Sequence, residues 1–173
     1  KLQGIKATEL VEQYGSPLYV IDEDEARGRA RRTREAFESA FAAYGASTSV
    51  YYASKAFLCV ETARWMADEG LGIDVATGGE LAVALAAGID PSRIGVHGNN
   101  KSLSEIERAV AAGVGSIVID SLQEIGRIAD VAKAQGTTQP VYLRVNSGVH
   151  ASTHDYLATS HEDQKFGVPL AQA

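Results

Sequence analysis

Residues 72–96 read GIDVATGGELAVALAAGIDPSRIGV, and the fold turns on this stretch. It opens on an apolar run, Ile73 to Ala76, of strand length. Thr77-Gly78-Gly79-Glu80 follows, with hydroxyl and carboxylate three residues apart as in a capping box. An alanine- and leucine-rich helical stretch comes next. Gly88 then stands where a helix ends on a left-handed residue. Ile94 to Val96 begins another apolar run. Strand, capped helix, glycine, strand is the βα rhythm of a parallel sheet.

The rhythm extends both ways. Apolar runs lie at Leu18 to Ile21, Val50 to Ser54, Ile117 to Ile119 and Val141 to Val145, and from Val50 on the runs recur about every 21–25 residues. Leucine-rich repeats have a similar period, but their Leu and Asn pattern is missing. Ser102 with Glu105 and Ser121 with Glu124 repeat the capping spacing. Gly45, Gly70, Gly113 and Gly136 each follow a helical stretch, as Gly88 does. Two architectures fit: an open doubly wound sheet, or a (β/α)8 barrel that stops after about five βα units, following a leading strand and helix.

The chain has 173 residues, one domain's worth, enough to bury roughly 70% of its unfolded surface. Sixteen basic against 22 acidic residues leave a net charge of -6, which argues against a nucleic-acid partner. No apolar run reaches the roughly 20 residues of a membrane span, and no signal peptide is visible. One cysteine, Cys59, excludes an internal disulfide and suits a reducing, cytoplasmic setting. It lies in an apolar stretch and is expected to be buried and inert. The charge run Asp22 to Arg34 pairs Glu23 with Arg27 and Glu25 with Arg29 at helical spacing, and reads as a solvated helix face.

Polar groups stand where barrel active sites gather, at the C-terminal ends of strands. Alternation puts Tyr51, Ala53 and Lys55 on one side of the first repeat strand. Lys55 is either a Schiff-base nucleophile or a lysine that snorkels outward. Asp74 and Arg144 each interrupt an apolar strand and need a partner, and in one barrel they could pair with each other. His97 ends the third strand. Asp120 ends the fourth and reads as a helix cap ahead of Ser121. Gly78-Gly79 could cradle a phosphate, but Glu80 beside it favours capping. His150, His154 and His161 cluster with Asp155, Glu162 and Asp163 in a long loop. Without Cys, HxH or HExxH, no metal is expected there.

Tyr52-Ala53-Ser54-Lys55-Ala56 resembles the lysine motif of the alanine-racemase-like, fold-type III enzymes that use pyridoxal phosphate. The segments Tyr14 to Asp22, Gly72 to Leu81, His97 to Ser102, Arg144 to Val149 and Lys165 to Gly167 resemble the decarboxylase branch, in order. The segment from His97 and the loop from His150 to Gly167 are most similar to the members that act on diaminopimelate. The resemblance implies a PLP barrel in which Lys55 carries pyridoxal 5'-phosphate while Asp74, His97 and Arg144 line its pocket. It implies decarboxylation of meso-2,6-diaminopimelate to L-lysine and a homodimer. Ornithine, arginine or carboxynorspermidine are alternative substrates. A non-catalytic regulator and a cofactor-free aldolase using Lys55 are further alternatives.

On this reading residues 1–22 are a lead-in segment and strand, and 23–173 are a partial barrel. Ser147 stands where the family usually has Pro. The family's later elements are absent: its stacking histidine, glycine-rich phosphate site, acidic partner of the ring nitrogen, and C-terminal β domain. The chain alone is therefore expected to be inactive.

Overall fold

In a computed structural model, residues 2–146 and 166–173 are described. Five strands, β1 (Tyr51–Ala53), β2 (Gly72–Val75), β3 (Ile94–Val96), β4 (Ser116–Ile119) and β5 (Val141–Leu143), form one parallel sheet in the order β1-β2-β3-β4-β5. That order decides between the two architectures. A doubly wound sheet reverses direction partway. Right-handed crossovers between strictly successive strands put every connecting helix on the same face, as in an arc of a (β/α) barrel.

The two faces differ accordingly. Register aligns Ile73 with Ile94 and Ile117 with Val141 on one face. Ile73, Val75, Ile94, Val96, Ile117 and Ile119 are buried there beneath the helices. The other face carries Ala53, Asp74 and Gly95 in register, then Ser116, Val118 and Tyr142. A parallel sheet covered on both sides would be apolar on both. The polar face is therefore a site face.

Helices α3 (Val60–Asp68), α4 (Gly78–Ala86), α5 (Leu103–Ala112) and α6 (Leu122–Ala134) follow β1 to β4. Each buries one stripe: Ile106, Ala109 and Val110 on α5, and Ile128, Val131 and Ala132 on α6, the spacing of an amphipathic helix. A fully buried Ile or Leu contributes roughly 1.5–3 kcal/mol, so this layer dominates stability. The five glycines expected to end helices all have φ between +64° and +89°. At Gly113 the left-handed residue also returns its N–H to the last turn of α5.

The capping expectations divide. Ser102 and Glu105 form a complete reciprocal box. Thr77 Oγ1 accepts the Glu80 N–H, but the Glu80 carboxylate turns to the Ala76 N–H. Ser121 makes no side-chain cap at all, because Glu124 is drawn inward.

Before the sheet come α1 (Ala7–Tyr14) and α2 (Glu23–Ala42). The strand expected at Leu18 to Ile21 does not form. No strand runs beside it among the described residues, and Tyr19 is 96% exposed. A strand needs a neighbour's backbone groups. Asp22 caps α2 through the Glu25 N–H, and three carboxylates fill its first turn. The expected Glu23–Arg27 and Glu25–Arg29 pairs are present. The helix is not merely solvated, however. Arg27 Nε and Arg31 Nε each lie 2.8 Å from the Glu69 carboxylate, and Arg34 Nε donates to the Glu69 carbonyl, fastening α2 to the end of α3. The two guanidiniums, Arg31 first, hold the Glu69 carboxyl at about 2, far below its ordinary 4.5.

A second, two-stranded sheet follows β5. Arg144 donates its N–H to Ile119 O on β4, while its carbonyl accepts the Val168 N–H. The strand kinks there into β6 (Val145–Asn146), which pairs in parallel with β7 (Val168–Pro169).

Candidate active site

Lys55, Asp74, His97 and Arg144 line one cleft of about 420 Å³ at the C-terminal ends of the strands. The same four line a connected space of about 840 Å³ that extends down the polar face past Ser116 and Tyr142. Four residues distant in sequence thus line one cleft because each lies at or near the end of a strand of the same sheet.

Lys55 lies on a single 3₁₀ turn, Ser54–Ala56, which ends β1. It still opens onto the cleft shared with Tyr51 and Ala53. Among the described residues its amine has no hydrogen-bond or ion-pair partner. Tyr52 points the other way and donates to Phe57 O at 2.7 Å, and burial pushes its phenol up.

The expected Asp74–Arg144 pair does not form, because β3 and β4 separate their strands by three spacings, roughly 14 Å. Each finds a nearer partner instead. Asp74 Oδ1 lies 3.3 Å from Nε2 of His97, the residue just past the end of the adjacent strand β3. Arg144 Nη1 lies 3.4 Å from Asp120 Oδ1, and its guanidinium stacks on Phe166 with the ring centroid 4.7 Å away.

Asp120 is consequently not a helix cap. It is 6% exposed, and its second oxygen accepts the Gly167 N–H at 3.1 Å. This clamp joins β4, Arg144 and the segment that enters β7. Sequence reading also missed the buried Lys101–Glu124 pair, 3.0 Å apart. The available signal was a capping-type glutamate whose serine it does not serve. Phe166 was visible only as part of the Lys165-Phe166-Gly167 motif.

Gly78 is not free for a phosphate. Its N–H donates to Glu105 Oε1 at 2.8 Å, and the bond to Gly78 helps the Ser102 N–H hold the Glu105 carboxyl low. Cys59 is neither buried nor helical. It is exposed at the N-cap of α3, 3.2 Å from the Thr62 hydroxyl, which pulls its thiol down. His150, His154 and His161 lie outside the described residues.

An unpartnered primary amine at the rim of a polar barrel cleft suits chemistry that runs through a carbon–nitrogen bond to a carbonyl group. Fold and cleft together are those of a (β/α)-barrel protein with a lysine-bearing polar cleft at its strand ends. Residues 27–173 match the family described as pyridoxal-dependent decarboxylase, pyridoxal binding domain. The chain belongs to that family.

A Mycobacterium tuberculosis protein named diaminopimelate decarboxylase is 53% identical over 170 residues, covering 98% of this chain and 36% of the relative. The solved Helicobacter pylori diaminopimelate decarboxylase complexed with L-lysine is 30% identical, with a TM-score of 0.85 over 96% of this chain and 41% of that one. The M. jannaschii enzyme, also with L-lysine, is 32% identical with a TM-score of 0.83 over 98% and 39%. The chain thus spans little more than a third of the length of its curated relatives.

The residues present fit a pyridoxal group. Among the described residues the Lys55 amine has no partner, the cleft holds both charge signs, and Gly95 leaves the floor open. A Cβ at Gly95 would stand 2.6 Å from Asp74 Oδ1.

Proposed function

We propose that this chain supplies the cofactor-holding wall of a pyridoxal-phosphate-dependent decarboxylase that converts meso-2,6-diaminopimelate to L-lysine and CO2. The observation that carries the reading is that Lys55, whose amine has no hydrogen-bond or ion-pair partner among the described residues, lines one cleft with Asp74, His97 and Arg144. Diaminopimelate is favoured as substrate by the names of the relatives and by the lysine bound in two related structures.

Pyridoxal phosphate, when bound, supplies the electron-accepting ring that stabilises the carbanion left as CO2 departs. Lys55 holds the cofactor through its amine. Asp74 sets its carboxylate 3.3 Å from His97 Nε2, giving the imidazole a charged neighbour at the cleft. Arg144 offers a fixed cation to an anionic group. Asp120 and Phe166 hold the guanidinium in place, so it need not be ordered at binding.

Residues 23–173 then form the first part of the barrel and residues 1–22 its lead-in. The active form is a cytoplasmic homodimer whose remaining groups come from outside this chain. Among the described residues no helix is long and apolar enough to cross a membrane.

The test is CO2 release by the full-length protein supplied with pyridoxal phosphate. Turnover of meso-diaminopimelate, with little of ornithine or arginine, supports the reading. Preference for ornithine or arginine moves the substrate assignment, and no turnover of any of them removes it.

A further inference from the structure

We propose that the buried Lys101–Glu124 pair is a positioning unit that sets His97 and Arg144 together. This rests on reading the cleft as a pyridoxal phosphate site. Lys101 Nζ and Glu124 Oε2 are 3.0 Å apart, and each side chain is 3% exposed. Beside that ion pair, Nζ donates to Gly98 O at 2.6 Å and to Val118 O at 2.7 Å. Glu124 Oε2 accepts the Asp120 N–H at 2.8 Å, and Oε1 accepts the Lys101 N–H at 3.4 Å.

Each bond leads to the cleft. Gly98 follows His97, whose ring meets Asp74. Asp120 carries the carboxylate that holds Arg144 and the Gly167 N–H. Val118 lies on the polar face of β4, between the two. One ion pair therefore anchors the loop after β3 and the end of β4, and through them two of the four cleft residues.

A pair serving stability alone gains little over well-packed apolar groups of the same volume. This one also spends two ammonium donations and both carboxylate oxygens on the backbone of the loop after β3 and the end of β4. Neither side chain touches the cleft itself, so both act through His97 and Arg144.

The experiment compares Lys101→Met and Glu124→Gln with Glu69→Gln in the full-length protein. Glu69 belongs to the arginine clamp between α2 and α3 and serves as a structural control. Two quantities are read: the affinity of cofactor-stripped protein for pyridoxal phosphate, followed by absorbance of the bound cofactor, and the thermal midpoint of the stripped form. The expected result is roughly tenfold or greater loss of affinity in both pair variants, with an altered absorbance band, because a misplacement near 1 Å is costly at a reacting centre. Glu69→Gln lowers the midpoint and leaves affinity unchanged. Should Lys101→Met fail to fold, Glu124→Gln, which keeps the side chain's shape, decides alone. Pair variants that lose only thermal stability, as Glu69→Gln does, overturn the proposal. If the unaltered protein takes up no pyridoxal phosphate, the cleft reading falls, and this proposal with it.

Discussion

Replacing Gly95 by alanine tests whether the floor of the cleft is built for Asp74. Gly95 pairs with Asp74 on β2 and with Ser116 on β4. The added methyl would lie 2.6 Å from Asp74 Oδ1, against an ordinary contact of 3.4 Å or more, so the carboxylate must retreat by about 0.8 Å. Overpacking a core site costs about 1–3 kcal/mol. Asp74 is a short side chain at the mouth of an open cleft and can swing away, which puts the cost near about 1 kcal/mol. The site suffers more than the fold. Asp74 Oδ1 sits 3.3 Å from His97 Nε2, and a displacement of this size breaks that contact. Misplacements near 1 Å cost on the order of 10²-fold at a reacting centre. Urea unfolding of the full-length Gly95→Ala variant should therefore show a stability change within about 1 kcal/mol. Turnover should fall roughly 10- to 100-fold. Unchanged turnover in a folded variant would refute the reasoning, because the Asp74–His97 contact would then be idle.

Three further outcomes are expected. The Glu69 carboxyl is depressed from 4.5 to about 2, so its contribution to stability is complete above pH 4.5 and is lost as pH falls toward about 2. Denaturant midpoints of Glu69→Gln and the unaltered protein should accordingly differ most above pH 4.5 and converge below it. Ser102→Ala should cost about 1 kcal/mol, because its box is complete, whereas Ser121→Ala should cost almost nothing, as thermal melts will show. Ser54→Ala should raise the thermal midpoint, since the buried Ser54 hydroxyl has no partner among the described residues and an unsatisfied buried group costs about 1–3 kcal/mol.

Periodic features were legible in the sequence. The spacing of Ile73, Ile94 and Ile117 placed the strands, and the five left-handed glycines placed the helix ends, because both follow from local chemistry. The cleft residues Lys55, Asp74, His97 and Arg144 were legible for the same reason, each lying at or near a strand end that could be located.

What escaped depends on contacts between units. Asp120 looked like a cap because its next residue begins a helix, yet its partners, Arg144 and Gly167, arrive 24 and 47 residues later. Asp74 and Arg144 seemed natural partners until strand order put β3 and β4 between them. Leu18 to Ile21 has the composition of a strand, but composition does not supply a neighbour. Cys59 sits in an apolar run, yet the turn after Lys55 starts a new helix at Val60 and leaves the thiol at its exposed end.

The central claim is that Lys55 is the residue that carries the cofactor. Borohydride reduction of the full-length protein saturated with pyridoxal phosphate, followed by peptide mass mapping, tests it most directly. The account predicts a pyridoxyl group on Lys55. A label on another lysine, or none with cofactor in excess, would contradict it.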